Sequence, residues 1–92
     1  MPPLSIQHVR AILGTLQERA AFQALWDDPA PHAQQFRQAV DRTAALCLLI
    51  DDQAPTVPEL DRHLDHVLAL CVGDRQQFER WILMAKDALH AT

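Results

Sequence analysis

The chain has 92 residues, 49% of them hydrophobic and 22% charged, which is the size of one domain and apolar enough to build a core without disulfide or metal staples. Its net charge is -4, and acidic groups outnumber basic ones along most segments, so no basic stripe tracks a phosphate backbone and nucleic acid is not the expected partner. Cys47 and Cys71 both fall in apolar helical runs, where an unpaired cysteine packs as a small core residue, and a reducing, cytoplasmic setting is expected.

Met1-Pro2-Pro3-Leu4-Ser5 lacks the basic segment and long apolar stretch of a secretory leader. The longest apolar run, Ala44 to Ile50, falls far short of the roughly 20 residues a bilayer crossing needs. The surplus of arginine over lysine, with abundant alanine, fits a bacterial chain. Two glycines, no tyrosine and few β-branched residues argue against sheet. The segments between prolines are rich in Ala, Leu, Gln, Arg and Glu, and the expected class is all-α.

In chain order, Ile6, Val9, Leu13, Leu16 and Ala20 repeat at spacings of three and four and predict a first helix beginning after Ser5. Phe22, Leu25 and Trp26 fall out of that phase. Gly14 followed by Thr15 and Glu18, a glycine stop and a capping box, places the expected break there. Asp28 before Pro29 is a further candidate cap. The next helix runs from Pro29 or Pro31 to Ile50 and turns Ala33, Phe36, Val40, Ala44 and Cys47 to one side. Thr56 with Glu59 opens a third region, Val57 to Val72, in which Val57, Leu60, Leu64, Val67 and Cys71 are in step and Gly73 closes the helix. Asp74 with Gln77 starts the last, reaching His90 and burying Phe78, Ile82, Ala85 and Leu89. The expectation is a single domain over residues 1–92: a compact antiparallel helical bundle of four main helices, five if the first region breaks at Gly14.

"DDPAP" at Asp27 to Pro31 and "DDQAP" at Asp51 to Pro55 form a weak internal echo. In an up-and-down bundle they sit at opposite ends, and neither has the spaced acidic pattern of a calcium loop, so both read as turns and caps. "ELDRHLDHV" is richer. At about 100° per residue, Glu59, His63, His66 and Leu70 share one flank of the Leu60/Leu64/Val67 stripe, and a carboxylate with two imidazoles is a sensible zinc or iron ligand set. One helix supplies three ligands at most, and the plainer reading is a wet polar flank, with no cofactor. A phosphotransfer histidine would be followed by lysine and a small residue, and neither His63 nor His66 is. His8, His32 and His90 read as surface groups.

Ser5 is the only serine and Lys86 the only lysine, no glycine lies in a phosphate-cradling loop, and both cysteines face the expected core, so a catalytic constellation is hard to assemble. What is left over is apolar surface. Ala44 to Ile50 is apolar around its whole circumference, and Leu83 and Met84 lie away from the Phe78/Ile82/Leu89 stripe, with Trp81 at its margin. Either the second long helix is central and covered on all sides, or Leu46, Leu49, Ile50, Trp81, Leu83 and Met84 form an interface. The functional expectation is a noncatalytic protein-interaction module, an adaptor, regulator or inhibitor, binding itself as a homodimer or binding another protein. The alternatives are a metal protein using Glu59, His63 and His66, and a helix-turn-helix regulator over Val9 to Trp26 with Gly14 and Thr15 as its turn and Arg10 and Arg19 on phosphate.

Overall fold

The computed structural model describes residues 4–91, so the reading of Met1-Pro2-Pro3 falls on residues outside that range. Among the described residues there are five α-helices and no strand: α1 (Leu4–Glu18), α2 (Ala20–Gln23), α3 (Pro31–Leu46), α4 (Val57–Ala69) and α5 (Glu79–His90), with 3-10 turns at Ala24–Asp27, Asp51–Gln53 and Gly73–Phe78. The four long helices run up, down, up, down. Around the bundle α1 packs most extensively on α5, α5 on α4, α4 on α3, and α3 on α1, which leaves α3 and α5 on one diagonal. No described helix is long and apolar enough to cross a membrane.

Most of the predicted stripe positions are buried; Ala20 is exposed, Ala44 and Val57 are half-buried, and Ala39 joins the core beside Val40. Ile6, Val9, Leu13 and Leu16 of α1, Phe36, Ala39 and Val40 of α3, Leu60, Leu64 and Val67 of α4, and Ile82, Ala85 and Leu89 of α5 join in one buried cluster. Most of these side chains are wholly removed from water, and their burial is the main term holding the helices together.

The expected break at Gly14 does not occur, and α1 is continuous through it. Thr15 donates its hydroxyl to the Ala11 carbonyl at 3.0 Å, a bond within the helix, instead of capping Glu18. Leu13 and Leu16 on either side of the glycine are both fully buried, and that packing outweighs the roughly 1 kcal/mol that glycine costs a helix interior. The turn that a helix-turn-helix would require at Gly14 and Thr15 is therefore not formed. The chain breaks instead at Arg19, whose ψ of 139° is extended, and this shift of phase lets Phe22 of α2 point inward.

The remaining boundaries are mixed. Thr56 caps α4, its hydroxyl accepting from the Glu59 amide at 3.3 Å, with Pro58 in the first turn. Asp28 accepts from the Ala30 amide at 2.9 Å, and α3 starts at Pro31 with Ala30 at the cap position. The third region was expected to continue as helix to Val72 but ends at Ala69. The last was expected to be helical from Asp74 but begins with a 3-10 turn, in which Gln77 donates to the Asp74 carbonyl at 3.0 Å. Gly73 adopts a φ of 60°, the left-handed conformation that reverses the chain between α4 and α5. Arg75 is buried beside that corner, and its Nε donates to the Leu70 carbonyl at 2.9 Å, satisfying one of the acceptors exposed by the end of α4.

Candidate interaction surface

Helix α4 is polarised across its width. Asp61 and Asp65 turn to α5, where Lys86 pairs with both and His90 Nε2 lies 2.8 Å from Asp61 Oδ1. The His90 hydrogen bond, and after it the charge of Lys86, hold the Asp61 carboxyl below its ordinary 3.8, while the bond to Asp65 holds the Lys86 ammonium above its ordinary 10.5. Because the folded carboxyl titrates lower than the unfolded one, its stabilisation is present above pH 3.8 and lost as the pH falls through the folded value. Asp61→Asn is expected to lower stability at neutral pH by about 0.5 kcal/mol, since the seam is open to solvent, and to flatten the acid limb of a melting-temperature profile. An acid limb identical to the wild type would show that this carboxylate stabilises nothing.

The opposite flank carries His63 and His66, which line one shallow depression with Arg42 of α3 and Arg62. Two of the three predicted metal ligands are thus brought together, while Glu59 lies exposed outside that lining. The neighbours that join them are two guanidinium groups, whose charge favours an anion and disfavours a divalent cation. Among the described residues no group of three or more His, Cys, Asp or Glu side chains is placed to hold a metal ion.

The thiols are occupied inside. Cys47 and Cys71 are free and buried, each donating to the carbonyl four residues earlier, Thr43 at 3.4 Å and Val67 at 3.5 Å. Burial pushes both up to about 11 from the ordinary 9.0, which suppresses the reactive thiolate.

The six apolar candidates do not form one patch. Leu46, Leu49 and Ile50 lie at and beyond the C-terminal end of α3, whereas Trp81, Leu83 and Met84 lie on α5, across the diagonal and toward the other end of the bundle. Helix α3 is one of four around a shared core and is not enclosed by the others. The segment that follows it exposes Leu48 (59%) and Ile50 (55%), while Leu46 at the helix end and Leu49 beyond it are half-buried. Leu48 was missed because the helix stops at Leu46 and Cys47 and Leu48 enter a turn, so the helical phase no longer says which side chain faces out.

On α5, Leu83 (43%) and Met84 (48%) are exposed, and Trp81 is half-buried. Phe78, Arg80, Trp81 and Leu83 line an open depression of about 720 Å³, together with Arg19 from the break between α1 and α2. The Arg19 guanidinium lies 5.4 Å from the Trp81 ring centre and that of Arg80 5.9 Å, so the indole is flanked by two cations. Arg80 was legible as a sequence neighbour of Trp81, but Arg19 is brought there only by the packing of α1 on α5. The other indole, Trp26, is exposed and carries the Arg37 guanidinium 3.8 Å from its ring centre. No family model matches the chain, and no curated protein or solved structure shows significant similarity to it.

Proposed function

We propose that this chain is a noncatalytic protein-interaction module, an adaptor, regulator or inhibitor that works through α5 and associates as a homodimer. The observation that carries the reading is the exposure of Leu83 and Met84 beside the Trp81 depression, although the core cluster is filled by the four inward stripes. Tryptophan and arginine around a desolvatable apolar surface are the residue types that dominate binding energy at protein interfaces. Leu83 and Met84 are already about half covered, so burying what remains would favour association by roughly 1 kcal/mol each before ordering costs. Two unpaired, buried thiols suit the reducing cytoplasm.

Light scattering across a concentration series tests the reading directly. The wild-type mass is expected to rise toward twice the 10.4 kDa monomer, and Leu83→Glu with Met84→Glu is expected to hold the chain at monomer mass with unchanged helix content. A wild-type mass that stays monomeric throughout would overturn self-association. The metal and helix-turn-helix readings gain no comparable support, the first because two arginines and, among the described residues, no third ligand join the histidines, the second because α1 runs straight through its turn.

A further inference from the structure

We infer that the outer face of α5 binds a second copy of this chain, antiparallel across a two-fold axis that passes between Leu83 and Met84. The inference rests on the interaction-module reading and specifies its partner and register. Arg80, Leu83, Met84 and Asp87 are spaced i, i+3, i+4 and i+7, which places them on one stripe of the helix, and all four are exposed. Neither Arg80 nor Asp87 takes part in an ion pair among the described residues. Of the helix's other charged groups, Lys86 and His90 turn sideways to Asp61 and Asp65 of α4, and Glu79 is exposed at the start of the helix, off the i, i+3, i+4, i+7 stripe.

The stripe is therefore apolar at its centre and carries opposite charges at its two ends, which is the pattern an antiparallel self-pairing needs. A two-fold axis at the centre sets Leu83 against the partner's Met84, and Arg80 against the partner's Asp87, at both ends of the contact. A parallel pairing would bring Arg80 onto the partner's Arg80 and Asp87 onto the partner's Asp87, so the charges select the antiparallel arrangement. The same register carries the partner's last turn toward Gln76 and Gln77, at the rim of the Trp81 depression. A contact made by one three-turn helix lies at the low end of interface sizes, so the dimer is expected to dissociate on dilution.

Sedimentation velocity from about 10 µM to about 1 mM, a range chosen to span weak dimers, gives the test. Arg80→Asp and Asp87→Arg each place like charges together at both ends of the contact and are expected to weaken the dimer roughly 10- to 30-fold. The double variant, Arg80→Asp with Asp87→Arg, restores opposite charges and is expected to return dimerisation to near the wild-type level, as is a 1:1 mixture of the two single variants. Both substitutions are at exposed sites, and circular dichroism checks that the fold is kept. A dimer that Leu83→Glu abolishes but the charge variants leave unchanged would overturn this register while preserving the interaction-module reading. Failure of the double variant to recover association would also overturn it, and a wild type that is monomeric at every concentration would overturn both the register and self-association.

Discussion

Replacing Phe36 by alanine is expected to reduce the free energy of unfolding by about 3–5 kcal/mol, the range for truncating a fully buried phenylalanine. A domain of this length holds on the order of 5–14 kcal/mol in total, so the variant should stand close to the edge of folding. The site justifies the upper part of that range. Phe36 is fully buried, stacks on Phe78 with ring centres 5.3 Å apart, and meets Phe22 edge-on at 6.3 Å, while Phe22 and Phe78 touch edge-on at 6.2 Å. The three rings come from α3, from α2, and from the turn that precedes α5. Helix α2 has only four residues, too few to hold a helical conformation unaided, so its place depends on Phe22 being gripped by the other two rings. Truncating Phe36 opens a void and loosens two further segments. Urea unfolding measures the effect, with Phe36→Leu as the milder companion at about 1–1.5 kcal/mol. A loss below about 1 kcal/mol for Phe36→Ala would mean that the aromatic trio does not secure that end of the bundle.

The rings show where sequence reading reached and where it stopped. The three-and-four spacing turns Phe36 inward with the stripe of α3 and Phe78 inward with that of α5, which it precedes by one turn, because burial of a stripe is a local, periodic property. Thr56 was legible for a similar reason, since a hydroxyl three residues before Glu59 can reach the orphan amide without help from elsewhere. Phe22 was seen only as out of phase, and its role depends on a chain break at Arg19 that no breaker residue announces. Gly14 misled in the opposite direction: glycine weakens a helix by an amount that tertiary burial of Leu13 and Leu16 exceeds, and periodicity carried more weight than punctuation. The interface set was split for a topological reason. Ile50 and Met84 are alike in standing off the buried stripes of their segments, but nothing in either segment says that α3 and α5 stand diagonally. The spacing of three puts His63 and His66 side by side on α4, whereas the guanidinium of Arg42, which changes the chemistry of their depression, comes from α3 and is invisible along the helix.

The second large effect concerns the thiols. In the native protein at pH 8, Cys47 and Cys71 are expected to react with a disulfide reagent at least about 100-fold more slowly than a free cysteine, because a rise from 9.0 to about 11 lowers the thiolate fraction by that factor. Burial is the main cause at both sites; Arg10 partly offsets it at Cys47, while at Cys71 the charge of Glu79 adds to it and Arg75 opposes it. Steric access lowers the rate further, so labelling should follow opening of the structure. Both lie just beyond a helix end, but Cys71 is the more exposed, 5% against 1%, and sits next to the Gly73 corner, so it should label before Cys47. The same shift has a consequence for stability. A thiol whose folded value is raised stabilises the fold fully below pH 9.0 and loses that contribution as the pH climbs through about 11, because the unfolded chain ionises first. Lys86 adds to the loss only above its ordinary 10.5, so the interval from pH 9.0 to about 10.5 reports the thiols. Replacing both cysteines by alanine should flatten stability across that interval, even though the cavities lower it overall. Rapid native labelling of either cysteine at pH 8 would instead identify an accessible, activated sulfur and return a nucleophilic role to consideration.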